Sequence, residues 1–97
     1  MKVDFSKPIL TINDEPMARS NVDSSPVDLG WVAVTALLAD TDESYDAKVR
    51  AFALAKKVNG GGEVDITPED SIVIRDRVAK VFKSVTVVAR AVEMLNG

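Results

Sequence analysis

Two residue types that carry much of protein chemistry are missing from this sequence. The 97 residues include no cysteine and no histidine. Without them the chain has no disulfide, no thiolate nucleophile, no Cys/His zinc set and no Ser/His/Asp triad. The lack of cysteine also fits a reducing compartment. Because the remaining serines and lysines stand in no catalytic spacing, we predict that the protein is not an enzyme.

Aromatic residues and long apolar runs are also scarce. The chain has one tryptophan, one tyrosine and three phenylalanines, and no apolar run approaches the roughly 18 residues of a membrane span. The first ten residues, MKVDFSKPIL, carry Asp4 and do not have the pattern of a secretory signal. An apolar fraction of 46% is ordinary for a globular chain. We therefore expect a single domain over residues 1–97 without a membrane partner.

The charge is distributed unevenly along the chain. The net charge is −3, with −5 on residues 1–43 and +2 on residues 44–97. An acidic first half and a mildly basic second half can pair within one fold or between two copies. Neither half is basic enough to be typical of a nucleic-acid-binding domain, so we expect no nucleic-acid partner.

The N-terminal segment, residues 1–19, has the pattern of a small β-hairpin. Apolar residues alternate at Val3 and Phe5 and again at Leu10 and Ile12. The NDEP that follows contains turn-forming residues and a proline, and proline is excluded from central strands. We predict a hairpin with an edge-like second arm, followed by a polar loop.

Residues 25–97 have the pattern of about four helices. In the first, Ser25 is the expected N-cap and Pro26 the first helical residue. Its body, Leu29–Ala39, is apolar nearly all round. The second helix runs from about residue 44 to residue 58 and has two apolar sides, which predicts that it packs between neighbours.

The rest of the chain completes a predicted α+β fold that is mainly helical, with a small N-terminal β-hairpin. The EVDI segment predicts a short strand, and TPED predicts a third helix with Thr67 as N-cap and Asp70 three residues later. The fourth helix is expected after Ser84. Its predicted apolar stripe consists of Val85, Val88, Val92 and Leu95. A strand over Val85–Val88 stays open as an alternative, because β-branched residues lower helix propensity.

Two motifs that suggest ligand binding fail on closer inspection. A phosphate loop follows a strand and carries its lysine after glycine, whereas a helix and two lysines precede Gly60–Gly62. We predict that these glycines are a spacer after a left-handed helix cap at Asn59 and Gly60. The acidic DTDESYD linker has Tyr45 and Ala51 where a calcium loop needs glycine and glutamate. We therefore predict no cofactor and no metal, and no binding of ATP or calcium.

One side of the first helix is a candidate protein interface. It carries Trp31, Val34 and Leu38 at helical spacing. Tryptophan often anchors interfaces, and a helix that is apolar on every side has more surface than a short chain can cover. The alternative, which the small number of aromatics favours, is that Trp31 fills the core. The interface hypothesis predicts a homodimer or a heteromeric protein partner on this helix.

The third helix carries a candidate basic surface formed by Arg77, Lys80 and Lys83. Such a surface can bind phosphate backbones. Acidic neighbours and the lack of interleaved aromatic residues favour an ordinary solvated helix face instead.

The order of these segments gives a resemblance to a known group of proteins. An N-terminal hairpin, VAVTALLA, KVRAFALAKKV, VDITPEDSIVI and a final VVARAVEML resemble small, mostly uncharacterised proteins of tailed phages and prophages. The resemblance implies a phage protein acting in the host cytoplasm, and it implies no catalytic residue. The function predicted is a non-catalytic interaction module, either an assembly helper or an adaptor that binds a host or virion protein. The alternative is a small DNA-binding regulator.

Overall fold

The computed structural model describes residues 1–18, 25 and 27–96. Its elements in chain order are β1 (Lys2–Asp4), α1 (Leu29–Leu37), α2 (Tyr45–Val58), β2 (Glu63–Asp65), α3 (Pro68–Val81) and α4 (Val85–Leu95). Over the described ranges the fold is therefore α+β and mainly helical, with four helices, which confirms the predicted class. No helix in these ranges is long and apolar enough to cross a membrane.

The predicted N-terminal hairpin is present, and the backbone hydrogen bonds that close it lie between residues 9 and 17. The backbone N–H of Thr11 donates to the carbonyl of Glu15 at 2.7 Å, and that of Met17 donates to the carbonyl of Ile9 at 2.9 Å. Asp14, within the NDEP turn, has a left-handed φ of 61°, a conformation that aspartate tolerates better than most residues. Arg90 of α4 holds the turn by donating to the Thr11 carbonyl.

Val3 and Phe5 lie outside this hairpin, in a segment that pairs with a distant strand. β1 and β2 form a two-stranded antiparallel sheet. The paired residues are Lys2 with Asp65, Val3 with Val64, and Asp4 with Glu63. The short strand predicted at EVDI is thereby confirmed. The side chains of Val3 and Phe5 are buried in the core beneath this sheet.

The first helix begins later than predicted. Its N-cap is Asp28, whose carboxylate accepts the Trp31 N–H at 2.7 Å. Ser25 is not the cap, because the chain just before α1 is extended and bonded to the N-terminal segment. The N–H of Ile9 donates to the Val27 carbonyl at 2.7 Å. Pro26, which was predicted to be the first helical residue, and residues 19–24 lie outside the described residues.

α1 lies at the centre of the molecule and packs against the other three helices. Its buried residues are Leu29, Gly30, Val32, Ala33, Ala36 and Leu37. Gly30 brings α1 very close to the N-terminal segment, since its N–H donates to the Phe5 carbonyl at 2.7 Å. A Cβ at this position would lie 2.9 Å from the same oxygen, so only glycine fits without a backbone shift.

The glycine triplet joins α2 to β2, as predicted for a spacer, but its geometry differs from the prediction. Asn59 is right-handed, and the left-handed residues are Gly61 and Gly62, with φ of 68° and 71°. The carbonyl of Gly62 accepts the Phe5 N–H at 2.8 Å. The turn is therefore shaped by its contact with the N-terminal segment, which no local cap signal encodes.

α3 begins with the predicted capping box. Thr67 Oγ1 accepts the Asp70 N–H at 3.1 Å, and the Asp70 carboxylate accepts the Thr67 N–H at 3.4 Å. Partial burial opposes ionisation of Asp70, but hydrogen bonds from Thr67 and Arg50 outweigh it and hold the pKa of Asp70 below its usual 3.8. The same carboxylate forms a salt bridge with the Arg50 guanidinium of α2 at 3.4 Å, so the start of α3 is also linked to α2.

The last segment is a helix throughout, which excludes the alternative strand at Val85–Val88. Ser84 is the N-cap, as predicted, and accepts the Val87 N–H at 3.3 Å. The buried side of α4 differs from the predicted apolar stripe, because Val85 in the first turn points into solvent. The residues of α4 that are buried are Val87, Ala91 and Leu95.

Removing either verified N-cap is expected to weaken the fold moderately. Asp28→Ala and Thr67→Ala each leave a helix N–H without its acceptor, and each should lower the free energy of unfolding by about 1 kcal/mol. Urea midpoints measured against the parent test this. Thr35→Ala inside α1, seven residues after the N-cap of that helix, is the control for loss of a threonine hydroxyl away from an N-cap. If Asp28→Ala unfolds at the parent's midpoint, α1 does not begin at Leu29.

Candidate functional site

The three interface residues predicted on α1 share one side of the helix and become more exposed toward its C-terminal end. Trp31 and Val34 are half-buried, while Leu38, which caps the helix, is 53% exposed. The indole of Trp31 packs edge-on against Phe82, with ring centroids 6.1 Å apart. Trp31 is therefore partly packed into the core, and the most exposed of the three interface residues is Leu38.

The outer face of α2 is apolar and exposed. Both apolar sides of this helix were expected to be packed, but only the side with Ala51, Leu54, Ala55 and Val58 is buried. The opposite side is 80% exposed at Tyr45, 52% at Val49 and 56% at Phe52. The prediction was wrong because α2 packs mainly on α1, which covers one of its sides.

Leu38 and the outer face of α2 form one continuous surface, which we call the α1–α2 surface. It consists of Leu38, Tyr45, Val49 and Phe52, with half-buried Val34 at its edge. Eight large apolar side chains are exposed in the described part of the chain, and four of them belong to this surface. It also holds both exposed aromatic rings. Single exposed apolar residues are normal in a monomer, whereas a contiguous set marks an interaction site.

The α1–α2 surface contains two depressions. The larger, of about 410 Å³, is lined by Leu38 and Phe52 together with Lys48 and Arg77. The smaller, of about 190 Å³, lies between Val34, Leu38 and Phe52. Because both depressions share Leu38 and Phe52, a partner's side chains could enter on either side of these two residues. This is how anchor residues are seated at protein interfaces.

Charged groups border the apolar surface. The Lys56 ammonium lies 5.1 Å from the centroid of the Phe52 ring, within the range of a cation–π contact. Asp46 and Lys48 flank the outer face of α2, and within the described ranges neither forms a salt bridge. The surface thus has an apolar centre and a polar rim, which is the usual anatomy of a protein interface.

The predicted basic surface loses its first member, because Arg77 is buried. Its guanidinium donates to the Leu37 carbonyl at 3.2 Å and pairs with Glu43 at 2.8 Å. Lys80 and Lys83 are exposed as expected, but two lysines alone are a weak phosphate-binding surface. The sequence did contain a signal: residue 77 lies three positions after buried Ile74, on the apolar face of α3.

The acidic linker and the glycine triplet have structural partners. Glu43 is held by Arg77 and by the Thr41 hydroxyl at 3.1 Å. No group of three or more carboxylates in the described part of the chain is placed to hold a metal ion. The three glycines line a depression of about 380 Å³ with Ser6, Asp28 and Trp31. Its lining contains a carboxylate and no cationic side chain, which is the wrong charge for a phosphate.

Comparisons with protein-family models, with curated proteins and with solved structures find no match for this chain. The fold and the surface alone therefore indicate the class of protein. These define a small α+β domain whose most prominent feature is an apolar surface on two helices.

Proposed function

We propose that this protein is a non-catalytic interaction domain that binds a protein partner through the α1–α2 surface. The observation that carries the proposal is the concentration of exposed apolar side chains, both exposed aromatic rings included, on one continuous surface. Aromatic anchors surrounded by polar groups dominate the energetics of protein–protein binding. The sequence, which lacks cysteine and histidine, also offers few groups for catalysis.

The surface is built on rigid elements. Phe52 and Val49 stand on a helix whose opposite side is anchored in the core by Leu54 and Val58. Leu38 is held next to them because Arg77 bonds the carbonyl of Leu37. A preorganised surface loses little conformational entropy on binding, which favours affinity.

The biological setting stays a prediction. The resemblance to small phage and prophage proteins predicts that the partner is a host or virion protein met in the host cytoplasm. The DNA-binding alternative would rest on the exposed charges of Lys80 and Lys83, and no contact or distance in the structure favours it over a solvated face.

The proposal predicts that a charge placed at Phe52 abolishes partner binding. Phe52→Asp puts a carboxylate at the centre of the surface, where a bound partner would desolvate it. Recovery of the partner on the tagged full-length chain should fall at least about tenfold, which corresponds to about 1.4 kcal/mol. Val85→Asp is the control, since Val85 is an apolar residue at the start of α4 that is even more exposed than Phe52, at 83% against 56%.

Equal loss of the partner in both variants would mean that added charge or general instability is responsible, and unfolding curves of both proteins check the latter. A partner that is retained by Phe52→Asp and lost by Val85→Asp would contradict the proposal and move the site to α4.

A further inference from the structure

The outer face of α2 is complementary to itself when one copy is turned end for end. Resting on the proposed function, we infer that the partner of the α1–α2 surface is a second copy of this chain. The two α2 helices pack antiparallel across a two-fold axis. Such an isologous contact uses the same surface on both molecules.

The first argument is the spacing of the exposed residues. Tyr45, Val49, Phe52 and Lys56 follow one another at intervals of four, three and four residues. This is the spacing of the seam positions in a helix pair, and it runs straight along one side of the helix. In the antiparallel arrangement, Val49 lies opposite Phe52 of the second copy, and Tyr45 lies opposite Lys56 of the second copy. Every layer of the seam is then apolar or joins a cation to an aromatic ring.

The second argument is the charge along α2. Asp46 lies in its first turn, and Lys56 and Lys57 lie in its last turn. In the described residues neither Asp46 nor Lys56 has a salt bridge within the chain, while Lys57 is close enough to Asp65 and Asp70 to help lower the pKa of both carboxyls. An antiparallel pair places the acidic start of each helix beside the basic end of the other, which is favourable at both ends. A parallel pair would place like charges together.

The third argument concerns the cost of association. α2 is already folded and supported by α1, so dimerisation has only side chains to order. Two distinct layers and their two counterparts across the two-fold axis make a short seam, and Leu38 extends the contact on one side. A seam of this length predicts a dissociation constant on the order of micromolar or weaker.

The chain contains no cysteine, so the arrangement can be tested with single introduced thiols. Tyr45→Cys and Lys56→Cys are prepared as separate proteins and oxidised alone and as an equimolar mixture. Along one helix these positions are about 16 Å apart, beyond the reach of a disulfide. The inference predicts a mixed disulfide dimer in excess over either variant alone, and over a mixture of Tyr45→Cys with Val85→Cys.

Light scattering of the cysteine-free protein over a wide dilution range completes the test. The mass should rise from monomer to dimer with concentration, and Phe52→Asp should remain a monomer. A parent that is monomeric throughout, or disulfides that form equally in every mixture, would overturn the inference. In that case the proposed function still stands if a different protein binds the parent and not Phe52→Asp, so the two failures are distinguishable.

Discussion

Replacement of Arg77 by alanine is expected to lower the free energy of unfolding by about 2–4 kcal/mol. Its side chain is 7% exposed, and its guanidinium joins α3 to the end of α1 and to the linker before α2. Alanine leaves the buried Leu37 carbonyl without its donor and a cavity beside it. Because Glu43 is 32% exposed, water can solvate that carboxylate, which keeps the loss below that of a fully buried pair. Urea unfolding of the parent and the variant measures the difference.

Two further variants separate charge from packing at this position. Arg77→Met keeps most of the side-chain volume and loses the charge, so it should be less destabilised than Arg77→Ala. Glu43→Gln leaves the buried guanidinium without its counterion and should also be destabilised. If Arg77→Ala unfolds like the parent, the ion pair and the Leu37 hydrogen bond contribute no stability, and our account of how Leu38 is positioned is wrong.

A second large loss, of about 3–5 kcal/mol, is expected for Phe5→Ala. The Phe5 side chain is fully buried, and its backbone bonds both Gly30 of α1 and Gly62 of the glycine turn. The cavity left by the ring cannot close easily, because these two hydrogen bonds fix the backbone around it. Thermal unfolding measures the loss, and Phe5→Leu should recover much of it. A Phe5→Ala protein with the parent's stability would show that the N-terminal segment is not part of the core.

The parts of the fold that local sequence encodes were predicted well. Thr67 and Ser84 are the N-caps of α3 and α4, as predicted, and each is a hydroxyl residue just before a helical pattern. α2 begins at Tyr45, next to the predicted start at about residue 44. The capping box at Thr67 and Asp70 was read directly from TPED. Such signals depend on residues three or four positions apart, so a sequence displays them without any knowledge of the tertiary fold.

The errors occurred where distant segments meet. α1 begins at Leu29, because Val27 is bonded to Ile9 in an extended segment. β1 pairs with a strand more than half the chain away, and no short-range pattern in the sequence reveals that pairing. The SP dipeptide before α1 has the local pattern of a helix start, but hydrogen bonds to the N-terminal segment keep the chain extended as far as Val27.

The candidate site was predicted only in part, because contacts between distant segments also decide which side chains are exposed. The sequence showed that Leu38 lies on an apolar side of α1 and that α2 has two apolar sides. Which of the two sides of α2 remains open depends on the packing of α1, so the exposure of Tyr45 and Phe52 could not be foreseen. The burial of Arg77 was also missed. Its spacing from Ile74 places it on the apolar face of α3, but its partners, Glu43 and Leu37, are far from it in the sequence.

Site-specific photocrosslinking tests most directly whether the α1–α2 surface is covered by a protein. A photoreactive phenylalanine analogue replaces Phe52 in the full-length chain, and a second protein carries it at Val85. After irradiation in cells that express the chain, position 52 should give a discrete adduct, at twice the chain's mass if the partner is a second copy. Position 85 should give little. Equal yields at both positions, or no adduct from position 52 while position 85 reacts, would contradict the account.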